Sequence, residues 1–324
     1  MNTINWVNNL KVIGIIAVVL GHIASPFGAF IYSWHMPLFF IISGFFINVE
    51  LDCKTFIFKN FNRLIVPYFI FCFIGILIEE LKRELLNRDP LDIIYTIKNM
   101  LLFMDSGALS GHYGQVLWFL PTLFFSKIIF FLLIKFIKNA IFILLLCFTL
   151  FVLSFHLELF FSLDESINVI IFILIGFYIY KISDKLIFLI SFFSIVFLFI
   201  ILYFGNIPIL DIANKNYSEP IINLIWATCL ILVLISLSKI LQIKKLQAYF
   251  DIIGLHTMLI YLIHPYTNNI AHVIVRQFIN KFNFDGGLMS LWYLKFLISG
   301  GLLMSLVIFF EKLKKRYLSN VSKT

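Results

Sequence analysis

Two histidines lie at the ends of strongly apolar stretches, where an imidazole is costly unless it has a partner or a function. His22 follows "LKVIGIIAVVLG", and His35 lies near the start of "SWHMPLFFIISGFF". Because only a short connection separates these stretches, we expect His22 and His35 to lie close together. An imidazole with an ordinary pKa of about 6.5 can accept or donate a proton near neutral pH. The pair therefore indicates acid–base chemistry, although His22 could instead simply hydrogen-bond at a membrane interface.

Basic residues occur at two places, of which the second suits the binding of an anion, whereas the first could simply extend to the inner membrane interface. Lys11 precedes His22 by eleven residues, which on a helix means nearly the same face and a rise of about 16 Å. Lys59 and Arg63 are four residues apart in "FKNFNRLIVPYF", so a helix presents them on one face. Arg and Lys side chains bind phosphate groups well. The alternative is an ordinary positive flank that anchors the next span on the cytoplasmic side.

The composition of the chain is typical of an integral membrane protein. Hydrophobic residues make up 61% of the sequence and charged residues 13%, whereas a soluble domain has about 45–50% and 25%. We therefore predict an all-α integral membrane protein, a bundle of about ten transmembrane helices forming one membrane-embedded domain over residues 1–324. The predicted spans are 7–24, 32–49, 64–81, 117–137, 140–156, 166–182, 187–205, 220–238, 252–274 and 291–310.

The basic residues indicate the orientation of these spans. With an even number of spans both termini lie on one side, and a cytoplasmic placement puts sixteen Lys and Arg at the inner face against eight outside. The remaining one, Lys127, lies inside a span. Clusters between the spans account for the net charge of +8, so the lipid bilayer is the predicted partner and nucleic acid is not. The long connection 82–116 contains "DSGALSGHYGQ" and is predicted to be a flexible outer loop.

Several kinds of chemistry are not indicated. The sequence has no GxGxxG, GxxxxGK[ST], GxSxG or HExxH motif, which argues against nucleotide hydrolysis, a serine-hydrolase elbow and a metalloprotease. The four cysteines are scattered, and the histidines do not cluster with carboxylates at metal-ligand spacing, so no metal is predicted. Ser43 and Gly44 are interpreted as small residues that allow two helices to approach closely.

Five stretches together resemble a known family. They are "LKVIGIIAVVLGH", "SWHMPLFFIISGFF", "FKNFNRLIVPYF", "LWFLPTLFF" and "IGLHTMLIYLIHPY". In this order they resemble membrane acyltransferase family 3, and within it the fucose 4-O-acetylase-like sugar O-acetyltransferases, over nearly the whole chain. The resemblance implies a protein of the bacterial inner membrane that moves an acetyl group from cytoplasmic acetyl-CoA to a hydroxyl of a cell-surface or lipid-linked polysaccharide. It implies no bound cofactor besides this donor.

The resemblance also implies roles for the basic residues and the histidines. His22 matches the essential histidine of the family and is expected to be the general base, with His35 orienting it or polarising the thioester carbonyl as a donor. Lys11 stands where many members have arginine. Arg63 matches the second arginine of an RxxR motif whose first position is Asn60 here.

Lys59, next to Asn60, is expected to supply the charge that Asn60 lacks, so that Lys11, Lys59, Asn60 and Arg63 form the acetyl-CoA site. A second set is expected to bind the acceptor, with Glu79 and Glu80 as carboxylates that could also fix the tautomer of His22. The candidate acceptor-binding residues are Trp118, Glu79, Glu80, His112 and His264.

Three alternatives stay open at this point. Direct transfer of the acetyl group is favoured, but an acetyl-histidine intermediate is also compatible with the sequence. A transporter or flippase for lipid-linked glycans would have a similar number of spans and a polar pathway. A structural scaffold for polysaccharide assembly would leave the two histidines unexplained.

Overall fold

The protein is built almost entirely of helices, as expected for a chain whose backbone polar groups must be satisfied without water. The computed structural model describes residues 5–242, 244–282 and 289–321. The helices are α1 (Asn5–Gly21), α2 (Gly28–Tyr32), α3 (His35–Phe45), α4 (Cys53–Asn60), α5 (Val66–Leu85), α6 (Ile93–Leu102), α7 (Phe119–Phe136), α8 (Ala140–Leu153), α9 (Leu163–Ile179), α10 (Asp184–Phe204), α11 (Pro220–Ile240), α12 (Lys244–Leu255), α13 (Thr257–Phe282) and α14 (Trp292–Val321).

Short elements join several of these helices. A π-helical turn, Phe61–Ile65, lies between α4 and α5, and 3₁₀ turns precede α7 (Gln115–Trp118) and α9 (Phe160–Ser162). Two strands of two residues each, β1 (Leu210–Asp211) and β2 (Asn216–Tyr217), pair antiparallel in the connection between α10 and α11. These turns and strands place polar residues at the ends of the apolar helices.

Helices lie at all ten predicted spans, and seven segments among the described residues are long and apolar enough to cross a membrane. Large apolar side chains on them remain exposed, such as Tyr203 (83%) and Phe204 (82%), which suits a surface that faces lipid. The seven segments are Gly28–Phe45, Cys53–Leu85, Gln115–Phe136, Phe160–Ile179, Asp184–Phe204, Pro220–Ile240 and Trp292–Lys314. The prediction of a helical, multi-pass membrane protein is therefore confirmed.

Three predicted spans have a different form. The spans 7–24 and 140–156 correspond to the shorter apolar helices α1 and α8. The span 252–274 falls on α12 and α13, which are bent by 77° at a break next to His256, and the pair raises the number of candidate spans to eight if it crosses once. The count of ten and the cytoplasmic termini stay predictions, and the first four and last three residues lie outside the described part.

The chain divides into two compact units. Unit 1 comprises residues 1–35 and 233–324, and unit 2 comprises residues 36–232. In the described part of unit 1, α1 packs against α12, α13 and α14. Asn8 donates a hydrogen bond to Asp251 at 2.8 Å, close to the point where Gly254 approaches the Asn8 backbone. The single domain predicted over 1–324 stays a prediction.

Unit 2 is centred on α9, which packs against α7 and α8 and is buried along most of its length. Helix α3 crosses α9 where two glycines meet the opposite backbone. A methyl group on Gly44 would overlap the Ile173 carbonyl oxygen, and one on Gly176 would overlap the Ile41 carbonyl oxygen. This crossing confirms the interpretation of Gly44 as a residue of close helix approach.

Replacing Gly176 by alanine is expected to destabilise unit 2 by at least about 1–3 kcal/mol, because the added methyl group must push two backbones apart. The thermal unfolding midpoint of the purified protein in detergent measures this loss. Gly300→Ala is the matched control, since nothing lies within 4 Å of a Cβ at Gly300 in α14. Equal midpoints for the two variants would contradict the tight crossing.

Candidate active site

Three histidines of unit 1 come together at the end of α1. His22 follows the last residue of α1 and is exposed, whereas His35 and His264 are buried at 2% and 0% exposure. The His22 and His264 ring centroids lie 5.1 Å apart. Tyr32 packs edge-on against both His22, at 6.0 Å, and His35, at 5.1 Å. His22 and His35 therefore lie close together, as expected, because both rings contact Tyr32. We call His22, His35 and His264 the histidine cluster.

Backbone carbonyls fix the tautomers of the two buried rings. Nδ1 of His35 lies 2.9 Å from the Ile31 carbonyl oxygen, and Nδ1 of His264 lies 2.6 Å from the Tyr261 carbonyl oxygen. Because a carbonyl can only accept, each Nδ1 carries the hydrogen, and each neutral ring keeps a free lone pair on Nε2. Nε2 of His264 is buried and has no hydrogen-bond partner among the described residues.

Polar side chains of α13 and α14 hold the end of α1. The Lys295 ammonium, 3% exposed, donates to the Ile23 carbonyl oxygen at 2.8 Å. Asn268 donates to the Val19 carbonyl oxygen at 3.4 Å and accepts from Ser299 at 2.6 Å. The Val19 and Ile23 carbonyls lie on either side of His22 in the chain. The two hydrogen bonds therefore fix the position of the His22 backbone.

Sequence reasoning missed this support. The orientation predicted from the basic residues puts Lys295 among the eight on the outer side, and neither Asn268 nor Ser299 is among the candidate residues. The signal was present, because a lysine, an amide and a hydroxyl inside apolar runs each need a partner in the membrane. What the sequence does not contain is the pairing of α13 and α14 with α1.

A second group of candidate residues lies in unit 2, at the junction of α4 and α5. Lys59 and Arg63 are exposed, and Asn60 is buried at 5% exposure. Arg63 lies in the π-helical turn, an irregularity that is often found at functional sites. In the part of the chain that the structure describes, neither Lys59 nor Arg63 forms an ion pair with a carboxylate.

Lys127 of α7 completes this group. Its ammonium donates to the Asn60 side-chain oxygen at 2.6 Å, and the charges of Arg63 and Lys59 act on it. Asn60 in turn donates to the Phe56 carbonyl oxygen at 2.8 Å. The basic cluster is therefore Lys59, Asn60, Arg63 and Lys127. Asn60 lacks the charge of the expected arginine, but it accepts a hydrogen bond from Lys127 of α7.

Lys11 lies in α1, half-buried, eleven residues before His22. The helix is continuous from Asn5 to Gly21, which keeps Lys11 about 16 Å along the axis from the histidine. Lys11 thus stands at the predicted separation from His22.

The two predicted glutamates already have partners in unit 2. Glu79, 6% exposed, pairs with Lys82 at 2.9 Å and Arg83 at 3.2 Å, and Glu80 accepts from the Leu91 backbone N–H at 3.0 Å. These contacts stabilise the end of α5 and the turn after it. A role of Glu79 or Glu80 towards His22 or the acceptor stays a prediction.

The other predicted acceptor residues of unit 2 are also largely buried. His112 is 8% exposed and accepts from the Gly114 backbone N–H at 2.8 Å. Burial lowers the pKa of His112, and the Glu79 carboxylate opposes that shift, so this loop histidine is neutral near pH 7. Trp118 is 7% exposed at the start of α7. Stacking of Trp118 on a sugar ring stays a prediction.

The described residues include no group of three or more histidines, cysteines or carboxylates that could hold a metal ion. A helical membrane protein with an accessible histidine backed by buried histidines is suited to accept a proton from a hydroxyl group. The acyltransferase domain model of acyltransferase family 3 matches residues 4–310, and the chain belongs to this family. No curated protein and no solved structure matches the chain.

Replacing Asn60 by leucine is expected to destabilise unit 2 by about 1.5–3 kcal/mol, because the Lys127 ammonium loses a charge-assisted hydrogen bond. Thermal unfolding in detergent measures the effect. The double variant Asn60→Leu/Lys127→Leu is the control, since it removes the unsatisfied charge together with its acceptor. The pairing would be refuted if Asn60→Leu unfolded at the wild-type temperature.

Proposed function

We propose that the protein is a membrane O-acetyltransferase of the bacterial inner membrane. It moves an acetyl group from cytoplasmic acetyl-CoA to a hydroxyl of a cell-surface or lipid-linked polysaccharide. Membership of an acyltransferase family supports the reaction class. The observation that carries the proposal is the exposed His22 ring against His264, whose buried Nε2 atom has no hydrogen-bond partner in the described part of the chain.

His22 is the proposed general base. Its neutral imidazole takes the proton from the sugar hydroxyl as the hydroxyl oxygen attacks the thioester carbonyl carbon. The C–S bond then breaks, the acetyl group stays on the sugar oxygen, and the sulfur leaves as coenzyme A thiol with the proton that His22 returns. General acid–base catalysis of this kind contributes about 10²–10⁴-fold to a rate.

His264 and His35 are the proposed positioning residues. The free lone pair on Nε2 of His264 can accept an N–H from His22, which orients the His22 ring and stabilises it when it carries the extra proton. His35 has the same tautomer, since Nδ1 donates to the Ile31 carbonyl. A neutral His35 has no hydrogen on Nε2, which favours the orienting role over donation to the thioester carbonyl.

The basic cluster is the proposed site for the phosphate groups of acetyl-CoA. Lys59 and Arg63 are exposed, and neither has a carboxylate partner among the described residues, so both are available to an anion. Lys127 lies next to them and donates a hydrogen bond to Asn60. Two exposed cations four residues apart suit a donor with several phosphate charges. Lys11, which the resemblance assigns to the donor site, is proposed to bind the donor as well.

Replacing His22 by alanine is expected to abolish acetylation of the surface polysaccharide, because the proton acceptor is lost. NMR of polysaccharide from cells that carry the wild type or the variant measures the acetyl groups, and immunoblots of membranes measure protein abundance. His156→Ala is the matched control, since His156 is an exposed histidine at the end of α8 outside both clusters.

Full acetylation in cells with His22→Ala would remove His22 from the mechanism. The proposed reaction itself would be refuted if membranes with the wild-type protein moved glycan but transferred no label from labelled acetyl-CoA. That result would favour the transporter instead.

Replacing Arg63 by alanine is expected to raise the KM for acetyl-CoA by about tenfold or more, since a charge-assisted hydrogen bond contributes about 1.5–3 kcal/mol. Initial rates at varied acetyl-CoA in membrane vesicles give this constant. Lys54→Ala is the control, because Lys54 is an exposed basic residue of α4 outside the basic cluster. An unchanged KM for Arg63→Ala would exclude Arg63 from the donor site.

A further inference from the structure

Three connections of unit 2 border a half-open cavity of about 360 Å³ that none of the roles above uses. They are the segment after α6, the turn before α9 and the loop between β1 and β2. We call this space the loop cavity. Its volume lies in the range of about 300–1,000 Å³ that is typical of small-molecule sites. The residues that determine its chemistry are Phe103, Asp105, Phe160, Asp164, Glu165 and Lys215.

The sequence pattern assigned all three connections to the outer side of the membrane. In the structure they contact one another directly. Ser162 donates its backbone N–H to the Phe103 carbonyl oxygen at 2.8 Å, and the Lys215 ammonium donates to the Leu157 carbonyl oxygen. The loop cavity is therefore held by hydrogen bonds between all three connections and does not depend on one isolated loop.

Two acidic side chains in the first turn of α9 each have one oxygen without a hydrogen-bond donor. Asp164 is 4% exposed and Glu165 is 5% exposed, and both line the loop cavity. Oδ1 of Asp164 and Oε2 of Glu165 have no hydrogen-bond partner among the described residues. Leaving a buried oxygen without a partner is unfavourable, so these oxygens favour a ligand that brings hydrogen-bond donors.

A metal ion does not fit this site. The Lys215 ammonium pairs with Oδ2 of Asp164 and already supplies the positive charge. One oxygen of Asp105 accepts from the Ala108 backbone N–H at 2.8 Å. No metal-binding group of three or more side chains occurs in the described ranges. The unpartnered oxygens of Asp164 and Glu165 can instead accept hydrogen bonds from neutral donors such as hydroxyl groups.

Aromatic rings border the same space. The Phe103 and Phe160 ring centroids lie 5.3 Å apart, and Phe160 is 56% exposed. Carboxylate acceptors beside exposed aromatic rings suit a sugar, because a pyranose has hydroxyl donors around its edge and apolar C–H faces that pack on aromatic rings. A lipid chain would leave the two unpartnered oxygens unsatisfied.

We propose that the loop cavity binds a pyranose unit of a glycan, with its hydroxyl groups donating to Glu165 and Asp164 and one ring face on Phe160. The binding of a sugar follows from the cavity alone. Its assignment to the acceptor polysaccharide rests on the proposed acetyltransferase function, to which the cavity adds a site that selects the glycan.

Saturation-transfer NMR tests sugar binding without any acyl donor. The probes are the methyl glycosides of glucose, galactose, mannose, fucose and N-acetylglucosamine, each added to the purified full chain in lipid nanodiscs. We expect saturation transfer to at least one of them, and binding at least about tenfold weaker in Glu165→Leu because the hydroxyl acceptors are lost. Glu84→Leu is the matched control, since Glu84 is an exposed glutamate of α5 that does not line the cavity.

The outcomes separate the two proposals. The loop cavity proposal is overturned if no glycoside receives saturation from the wild type, or if Glu165→Leu binds as tightly as the wild type. Should Glu165→Leu fail to fold, Phe160→Ala removes an exposed ring from the same site, and unchanged binding in that variant has the same meaning. Sugar binding by a protein that transfers no label from acetyl-CoA would support the cavity while refuting the acetyltransferase.

Discussion

The tautomers of two buried histidines depend on the backbone carbonyls of the helical turns before them. His264 and His35 each place Nδ1 against a carbonyl oxygen, so the hydrogen stays on Nδ1 and the lone pair on Nε2. A ring that rotated freely could present either a donor or an acceptor to His22. With the tautomer fixed, the His264 ring at 5.1 Å offers only an acceptor.

The same constraint explains the polar residues inside the apolar helices. A polar group away from water must find a partner in the protein, and two lysines find theirs on distant parts of the chain. Lys295 binds the Ile23 carbonyl beside His22, and Lys127 binds Asn60 beside Arg63. These contacts are expensive to break in lipid, so they fix the positions of groups that must themselves stay accessible.

Part of this arrangement could be predicted from the sequence because it depends on local patterns. Apolar length located the helices, and the short connection between two histidines predicted their proximity. The close approach at Gly44 followed from the small side chain, although its partner Gly176 could be identified only from the packing of α3 on α9. The bend at His256 was not predicted, because the apolar pattern continues across the break.

Contacts between distant residues account for what was missed. Asn60 and Lys127 are 67 positions apart, and Lys295 and Ile23 are 272 apart. No spacing rule links such positions in a single sequence. Lys127 was nevertheless visible as a charge inside a predicted span, and its cost in lipid was the signal that it required a partner.

The pH dependence of acetyl transfer tests the central claim most directly. Purified protein in proteoliposomes, given labelled acetyl-CoA and polysaccharide, yields kcat/KM from neutral pH down to the lowest pH at which the protein stays folded. A general base must be neutral, so the wild-type value is predicted to fall on acidification, and the residual activity of His22→Gln is predicted to lose that acid limb. An acid limb of equal size in His22→Gln, at a wild-type rate, would contradict the account.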